Sequence, residues 1–194
     1  MTHSPSLIPG IEKICLREGD GEILELKLSG GANIFLGDNK TDSFRNLILE
    51  GIRGALTSER NIVSPLASIT LKDKTLIMPD AAEPPSLLFE PVNKFLPMRI
   101  IQKQISDTIR GPGVESKGKA FLDFGLLRNT SYNFRHKIIT ELFKRKIQYI
   151  TQTPSEDIIK DFSGKGPLTV FRIRYIRSSK FPYPLYRTER GISL

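Results

Sequence analysis

Ala32-Asn33-Ile34-Phe35-Leu36 runs directly into Gly37, and beyond it Phe44, Leu47, Ile48, Ile52, Ala55 and Leu56 recur at three- and four-residue spacing. The first run reads as a strand and the second as one face of a helix, with Ser43 placed to cap it. A strand that turns at glycine straight into a helix commits the chain to an α/β arrangement. The pattern returns later. Ala120-Phe121-Leu122-Asp123-Phe124 is a short run of buried-strand character ending at Gly125. Asn133 can cap a helix with Phe134, Ile138, Ile139, Leu142 and Phe143 on its apolar face, and Ile147 to Thr151 is a further strand. Strand, helix and strand at these lengths form a βαβ unit, which predicts that Phe121 and Tyr149 lie on parallel strands.

Residues 11–18 and 22–28 alternate apolar and polar around Glu18-Gly19-Asp20-Gly21, a hairpin signal. Ala67 to Leu71 and Thr75 to Met78 flank Lys72-Asp73-Lys74 and suggest a second hairpin. Pro79 to Pro91 is rich in proline and acid, which predicts a surface loop. A helix is expected over Pro97 to Arg110, closed by Gly111-Pro112-Gly113 and followed by a polar segment to Lys119. Leu168 to Ile176 is the last long strand. The 194 residues thus read as one domain over 1–177 with a basic, aromatic, extended tail over 178–194.

A formal net charge of +8 directs attention to polyanions or acidic proteins as partners. The single Cys15 excludes an intramolecular disulfide and a cysteine zinc cluster. With only His3 and His136, a histidine metal site or a Ser/His/Asp triad has little support, and no cofactor is implied. His136, between Arg135 and Lys137, reads as a surface helix residue. No secretory leader and no stretch of membrane-spanning length stands out, so a cytoplasmic protein without membrane contact is expected.

Strand, turn and helix around Gly37 are also the setting of a phosphate loop, G-x-x-x-x-G-K-[ST]. Laid on Gly37, that pattern puts its second glycine at Asp42, its lysine at Ser43 and its Mg²⁺-binding hydroxyl at Phe44. An aspartate there repels phosphate, and a phenyl ring offers Mg²⁺ no oxygen. Gly37 and Asn39 suit a turn that needs positive φ.

The order of parts resembles the ATPase head of the SMC and RecF group of ABC-type P-loop ATPases. In that group an antiparallel hairpin leads into a strand ending in G-x-N-G-x-G-K-[ST], and Gly37 and Asn39 stand at matching places. Asn46-Leu47-Ile48-Leu49-Glu50-Gly51-Ile52 is similar to its first helix, and Ala120-Phe121-Leu122-Asp123 to its Walker B strand. The resemblance implies a mixed sheet with an N-terminal antiparallel hairpin and flanking helices. The catalytic glutamate of the group would fall on Phe124, and its switch histidine near Thr151-Gln152-Thr153, where none stands. Its signature segment has no counterpart between Ile105 and Lys119. Without lysine, hydroxyl and glutamate, phosphoryl transfer has no agents, so the resemblance implies a pseudo-ATPase.

The degenerate nucleotide loop therefore comprises Gly37, Asn39, Lys40, Ser43 and Asp123. Asp123 reads as a metal ligand or, favoured for want of a second ligand, as a strand-end acceptor of backbone hydrogen bonds. Lys40 reads as a displaced phosphate lysine or, flanked by Asp38 and Asp42, as a solvated turn lysine. Candidate nucleic-acid contacts are Arg135, Lys137, Lys144, Arg145 and Lys146 on the second helix of the pattern, Arg172, Arg174 and Arg177 on the last strand, and Lys180 and Arg187 in the tail. Tail aromatics can stack on bases or dock on protein. The expected function is a non-catalytic scaffold that binds DNA or joins a DNA-processing complex, alone or as a homodimer. The alternative is an interaction or self-assembly module, accessory or filament-associated, with no nucleic-acid role.

Overall fold

A computed structural model describes residues 6–17, 22–57, 64–78, 97–111, 118–176 and 185–190. The predicted loop at 79–91, the breaker segment beyond Gly111, and Arg177 and Lys180 lie outside them.

The architecture is mixed α/β. One sheet has six strands: β1 (Ser6–Pro9), β4 (Ala32–Leu36), β7 (Lys119–Asp123), β8 (Gln148–Thr153), β9 (Leu168–Ile176) and β10 (Leu185–Arg190), in the order β1-β7-β8-β4-β9-β10. The four central strands are parallel and the two at the edges antiparallel to their neighbours. Phe121 of β7 lies in register with Tyr149 of β8, as the βαβ reading requires. The second sheet is antiparallel, built from β2 (Ile11–Arg17), β3 (Ile23–Lys27), β5 (Leu66–Leu71) and β6 (Thr75–Ile77) in the order β3-β2-β5-β6. Both predicted hairpins are here.

The helices are α1 (Asp42–Thr57), α2 (Met98–Arg110), α3 (Tyr132–Lys144) and α4 (Asp157–Phe162). Successive residues of a strand face opposite sides. Ile34, Leu36, Phe121, Tyr149 and Val170 accordingly pack with α2, α3 and α4, whereas Phe35, Leu122, Ile150, Phe171 and Ile173 pack with α1 and the second sheet. α1 buries Phe44, Arg45, Leu47, Ile48, Leu49, Glu50 and Ile52, more than one face of a helix, because it has partners in both sheets.

Three expectations need correction. Ser43 does not cap α1: a 3-10 turn at Asn39–Thr41 precedes the helix, and the Asp38 side chain accepts from Lys40 N. Ser131, not Asn133, caps α3, its Oγ accepting from Phe134 N. Residues 185–190, expected to be part of an aperiodic tail, form a strand beside β9, with Thr188 opposite Ile173 and buried. β1 and α4 were not expected, being four and six residues long with too few positions to show a period.

Gln148 joins the two sheets. Its Oε1 accepts from Ile11 N at 2.9 Å, and its Nε2 donates to Ile11 O at 2.8 Å and Ser29 O at 2.7 Å. A Gln148→Ala change strands those buried backbone groups and is expected to cost about 2–3 kcal/mol, a fall of about 5–10 °C in Tm for a domain of this size, read by thermal unfolding.

Candidate functional site

Parallel strands leave their carboxyl ends at one edge, where open α/β sheets hold their ligands. At this edge β4 opens into Gly37, β7 into Phe124 and β8 into Pro154, with α1 beginning a few residues beyond β4. Gly37 N donates to Thr153 O at 3.2 Å, which fastens the first of these loops to the end of β8.

The space above Gly37 is taken up by the chain itself. A Cβ at position 37 would lie 2.1 Å from Thr41 Oγ1 and 2.8 Å from Ile173 O. Neither Gly37 nor Asn39 has positive φ, so close packing, not the left-handed conformation expected, requires glycine at 37. Thr41 Oγ1 donates to Asp38 O at 2.8 Å. Arg45, buried completely, folds back on the same turn: Nε donates to Thr41 O at 3.4 Å, and Nη2 to Asp38 O at 3.2 Å and Asp42 Oδ1 at 3.1 Å. Burial lowers its pKa to about 10, with Asp42 opposing the shift and Arg128 adding to it. Asn39 and Lys40 are exposed. The Lys40 Nζ lies over the Tyr175 ring, 5.9 Å from its centroid. Ser43 is half-buried in the first turn of α1.

Phe44, at the place of the Mg²⁺ hydroxyl, stacks on Tyr186 of β10 with centroids 4.5 Å apart and planes 15° from parallel. Tyr186 in turn meets the Tyr175 ring edge-on at 6.0 Å. Phe44 thus anchors the last strand to the loop.

Asp123 is buried and surrounded by donors. Oδ1 accepts from Leu126 N at 2.8 Å, and Oδ2 from Tyr149 Oη at 2.7 Å, Leu127 N at 3.2 Å and Thr151 Oγ1 at 3.5 Å. Burial pushes its carboxyl up from the ordinary value while these bonds pull it down; burial and the neighbouring Asp123 drive the Tyr149 hydroxyl well above its own. Phe124 lies under the guanidinium of Arg53, 5.8 Å from its ring centroid. Among the described residues no group of three or more His, Cys, Asp or Glu is placed to hold a metal ion.

The candidate nucleic-acid residues divide by what already holds them. Arg135 is a structural clasp, with Nε on Asp161 Oδ2 at 2.8 Å and Nη1 on Arg128 O and Thr130 O. Arg145 binds Glu141 at 2.6 Å and Ile109 O at 3.3 Å. Arg172 pairs with Glu156 at 2.8 Å and Arg174 with Glu189 at 3.2 Å. The backbone of Arg187 lies opposite Arg174 in β10. Lys137, Lys144 and Lys146 are exposed.

Sequence reasoning missed Arg45, Gln148 and Tyr186. Arg45 falls beside the apolar stripe of α1, where a charged residue reads as solvated, and the other two depend on contacts across more than 100 residues. No helix among the described residues is long and apolar enough to cross a membrane. Comparison with family models, curated proteins and solved structures finds no match to this chain.

Replacing Phe44 by Ser restores the hydroxyl of the working motif but empties the stack on Tyr186; a loss of about 3 kcal/mol is expected in urea unfolding, with no Mg²⁺-dependent gain in stability. Asp123 allows a test by pH. An acid whose folded pKa is raised contributes stability that is full below its unfolded value, near 3.8, and is lost as pH rises through the folded value. Asp123→Asn lacks that loss, so its stability deficit against the parent should be largest near pH 4 and narrow toward neutrality; a deficit that widens with pH contradicts this reading.

Proposed function

We propose that this chain is a non-catalytic domain of the P-loop ATPase type, similar to the heads of the SMC and RecF group, that binds DNA or scaffolds a DNA-processing complex. One observation carries the non-catalytic part. Both positions that would serve a nucleotide are satisfied internally, the loop by Thr41 and Arg45 and the Asp123 carboxylate by the Leu126 and Leu127 amides and the Tyr149 hydroxyl. A phosphate would have to displace the Thr41 hydroxyl, and Mg²⁺ would have to strip Asp123 of its bonds.

The strand order supports the kinship. β4 and β7 flank β8 in parallel, so the Gly37 loop and Asp123 open at the same edge, and α1 follows β4 within a few residues. Transfer of a phosphoryl group needs positioned cations and a placed base, and the cation held at this loop, Arg45, is turned onto Asp38, Thr41 and Asp42. The DNA-binding part rests on the basic balance of the chain and on the exposed lysines of α3.

A second reading, assembly with another protein or a second copy, is favoured by the edges of the four-stranded sheet. Ile77 on β6 is 81% exposed and Ile23 on β3 is 63% exposed. Apolar side chains on open sheet edges invite pairing.

Nucleotide at a hundredfold its Kd would add about 2.7 kcal/mol, a rise of about 5–10 °C in Tm for a domain of this size. Neither such a rise with ATP and Mg²⁺ nor phosphate release is expected. Turnover that disappears in Asp123→Ala would sink the proposal.

A further inference from the structure

We infer that duplex DNA lies across the paired outer faces of α2 and α3, held through its phosphates; this rests on the DNA-binding reading above. α2 buries Ile101, Ile105 and Ile109, one position per turn, and its opposite side carries exposed Arg99, Lys103 and Arg110. α3 buries Ile138, Ile139 and Leu142 and turns Lys137, Thr140 and Lys144 outward, with Lys146 exposed just past its end.

The two rows are neighbours. Arg145 Nη1 donates to Ile109 O at 3.3 Å, fastening the end of α3 to the end of α2. Glu141 lies at this seam: the Arg145 hydrogen bond holds its carboxyl below the ordinary range, and the charges of Arg110 and Lys144 add to the shift. That acid is answered within the protein. Asp107 is the exposed acid on the two helices, against five exposed cations at 99, 103, 110, 137 and 144, with Lys146 beyond the end of α3. Packed helices lie about 8–10 Å apart. Lys137 and Lys144, like Lys103 and Arg110, are two turns or about 10 Å apart. Neighbouring cations are thus about one Debye length from each other, and their fields add.

The chemistry of this face selects the partner. Thr140 and Ser106 interleave with the cations, the mix of side chains that contacts phosphate oxygens. A protein interface needs an apolar centre; the exposed apolar residues here, Met98 and Ile100, sit at the start of α2, and the outward positions from Lys103 to Arg110 and from Lys137 to Lys144 are polar. Single strands are held by stacking on aromatics; none stands among those positions, and the exposed Tyr132 lies ahead of them in the first turn of α3. The arginines of β9 suit phosphate less, since Arg172 and Arg174 already have Glu156 and Glu189.

The test is fluorescence anisotropy of the full chain with labelled duplex and single-stranded DNA over a salt series, comparing the parent, Lys103→Ala/Lys144→Ala, and Lys72→Ala/Lys74→Ala, which removes equal charge from the β5–β6 turn. The parent should bind duplex with log affinity falling linearly in log salt. The helix double variant should lose about two units of that slope and at least tenfold in low-salt affinity, while the turn variant matches the parent. A parent that binds no duplex overturns the DNA-binding reading itself. Parent binding with equal losses in both variants, or none in either, overturns only the placement on α2 and α3. Preference for single strands, or equal competition by polyglutamate, overturns the duplex assignment. Unchanged thermal midpoints of these surface variants exclude unfolding as the cause.

Discussion

α1 has to satisfy two sheets at once. A helix packed on one layer needs a single apolar stripe, but this one meets β8 on one side and β5 on the other and is buried through most of its length. Close approach sets its position. A Cβ on Gly51 would lie 1.9 Å from Ser64 Oγ, and Ser64 Oγ itself donates to Leu47 O at 3.0 Å. With α1 held this tightly, the turn that feeds it has little freedom, and Gly37 is left between Thr41 and the backbone of β9. The geometry of the loop is therefore a consequence of core packing on both sides of the helix.

That origin explains the chemistry found at the carboxyl edge. A working phosphate loop keeps its N–H groups and a cation unsatisfied until the ligand arrives. Here Arg45, Thr41 and Asp38 satisfy one another, and Phe44 packs on Tyr186 to bring β10 into the sheet. Two buried atoms nearby, Arg45 Nη1 and Gln152 Oε1, have no hydrogen-bond partner among the described residues, while Gln152 Nε2 reaches Asn46 Oδ1 at 3.2 Å. The edge has become part of the core, at the cost of a few polar atoms left over.

The proposed binding face lies on the helices, away from the strand ends. The six-stranded sheet and its joint through Gln148 act as a rigid base, and α2, α3 and α4 cover one side of it. Cations that hold the fold together, such as Arg135 and Arg145, do not add to a binding field in proportion to their number, because each is already opposed by a carboxylate. The exposed lysines and arginines on α2 and α3 keep their charge in solvent, as do Lys72 and Lys74 in the β5–β6 turn.

Much of the fold was legible in the chain because the signals were local. β4 and β9 have the bounds read from their apolar runs, both hairpins formed, and the βαβ register paired Phe121 with Tyr149. Helix caps were misread because several small polar residues compete at each start, and only backbone direction chooses Ser131 over Asn133. At the candidate site, the residue types at the loop, Asp42, Ser43 and Phe44, were legible position by position. Their contacts were not: the Phe44–Tyr186 stack, the Gln148 joint and the Tyr149 donor on Asp123 join residues far apart in the chain, and no periodicity records them. The sequence by itself determined the longer strands and helices and the side-chain types at the loop, since both are written in residue type and short spacing. Only the tertiary structure decided which cations stay free and which polar groups fill the loop, since both depend on which distant surfaces meet.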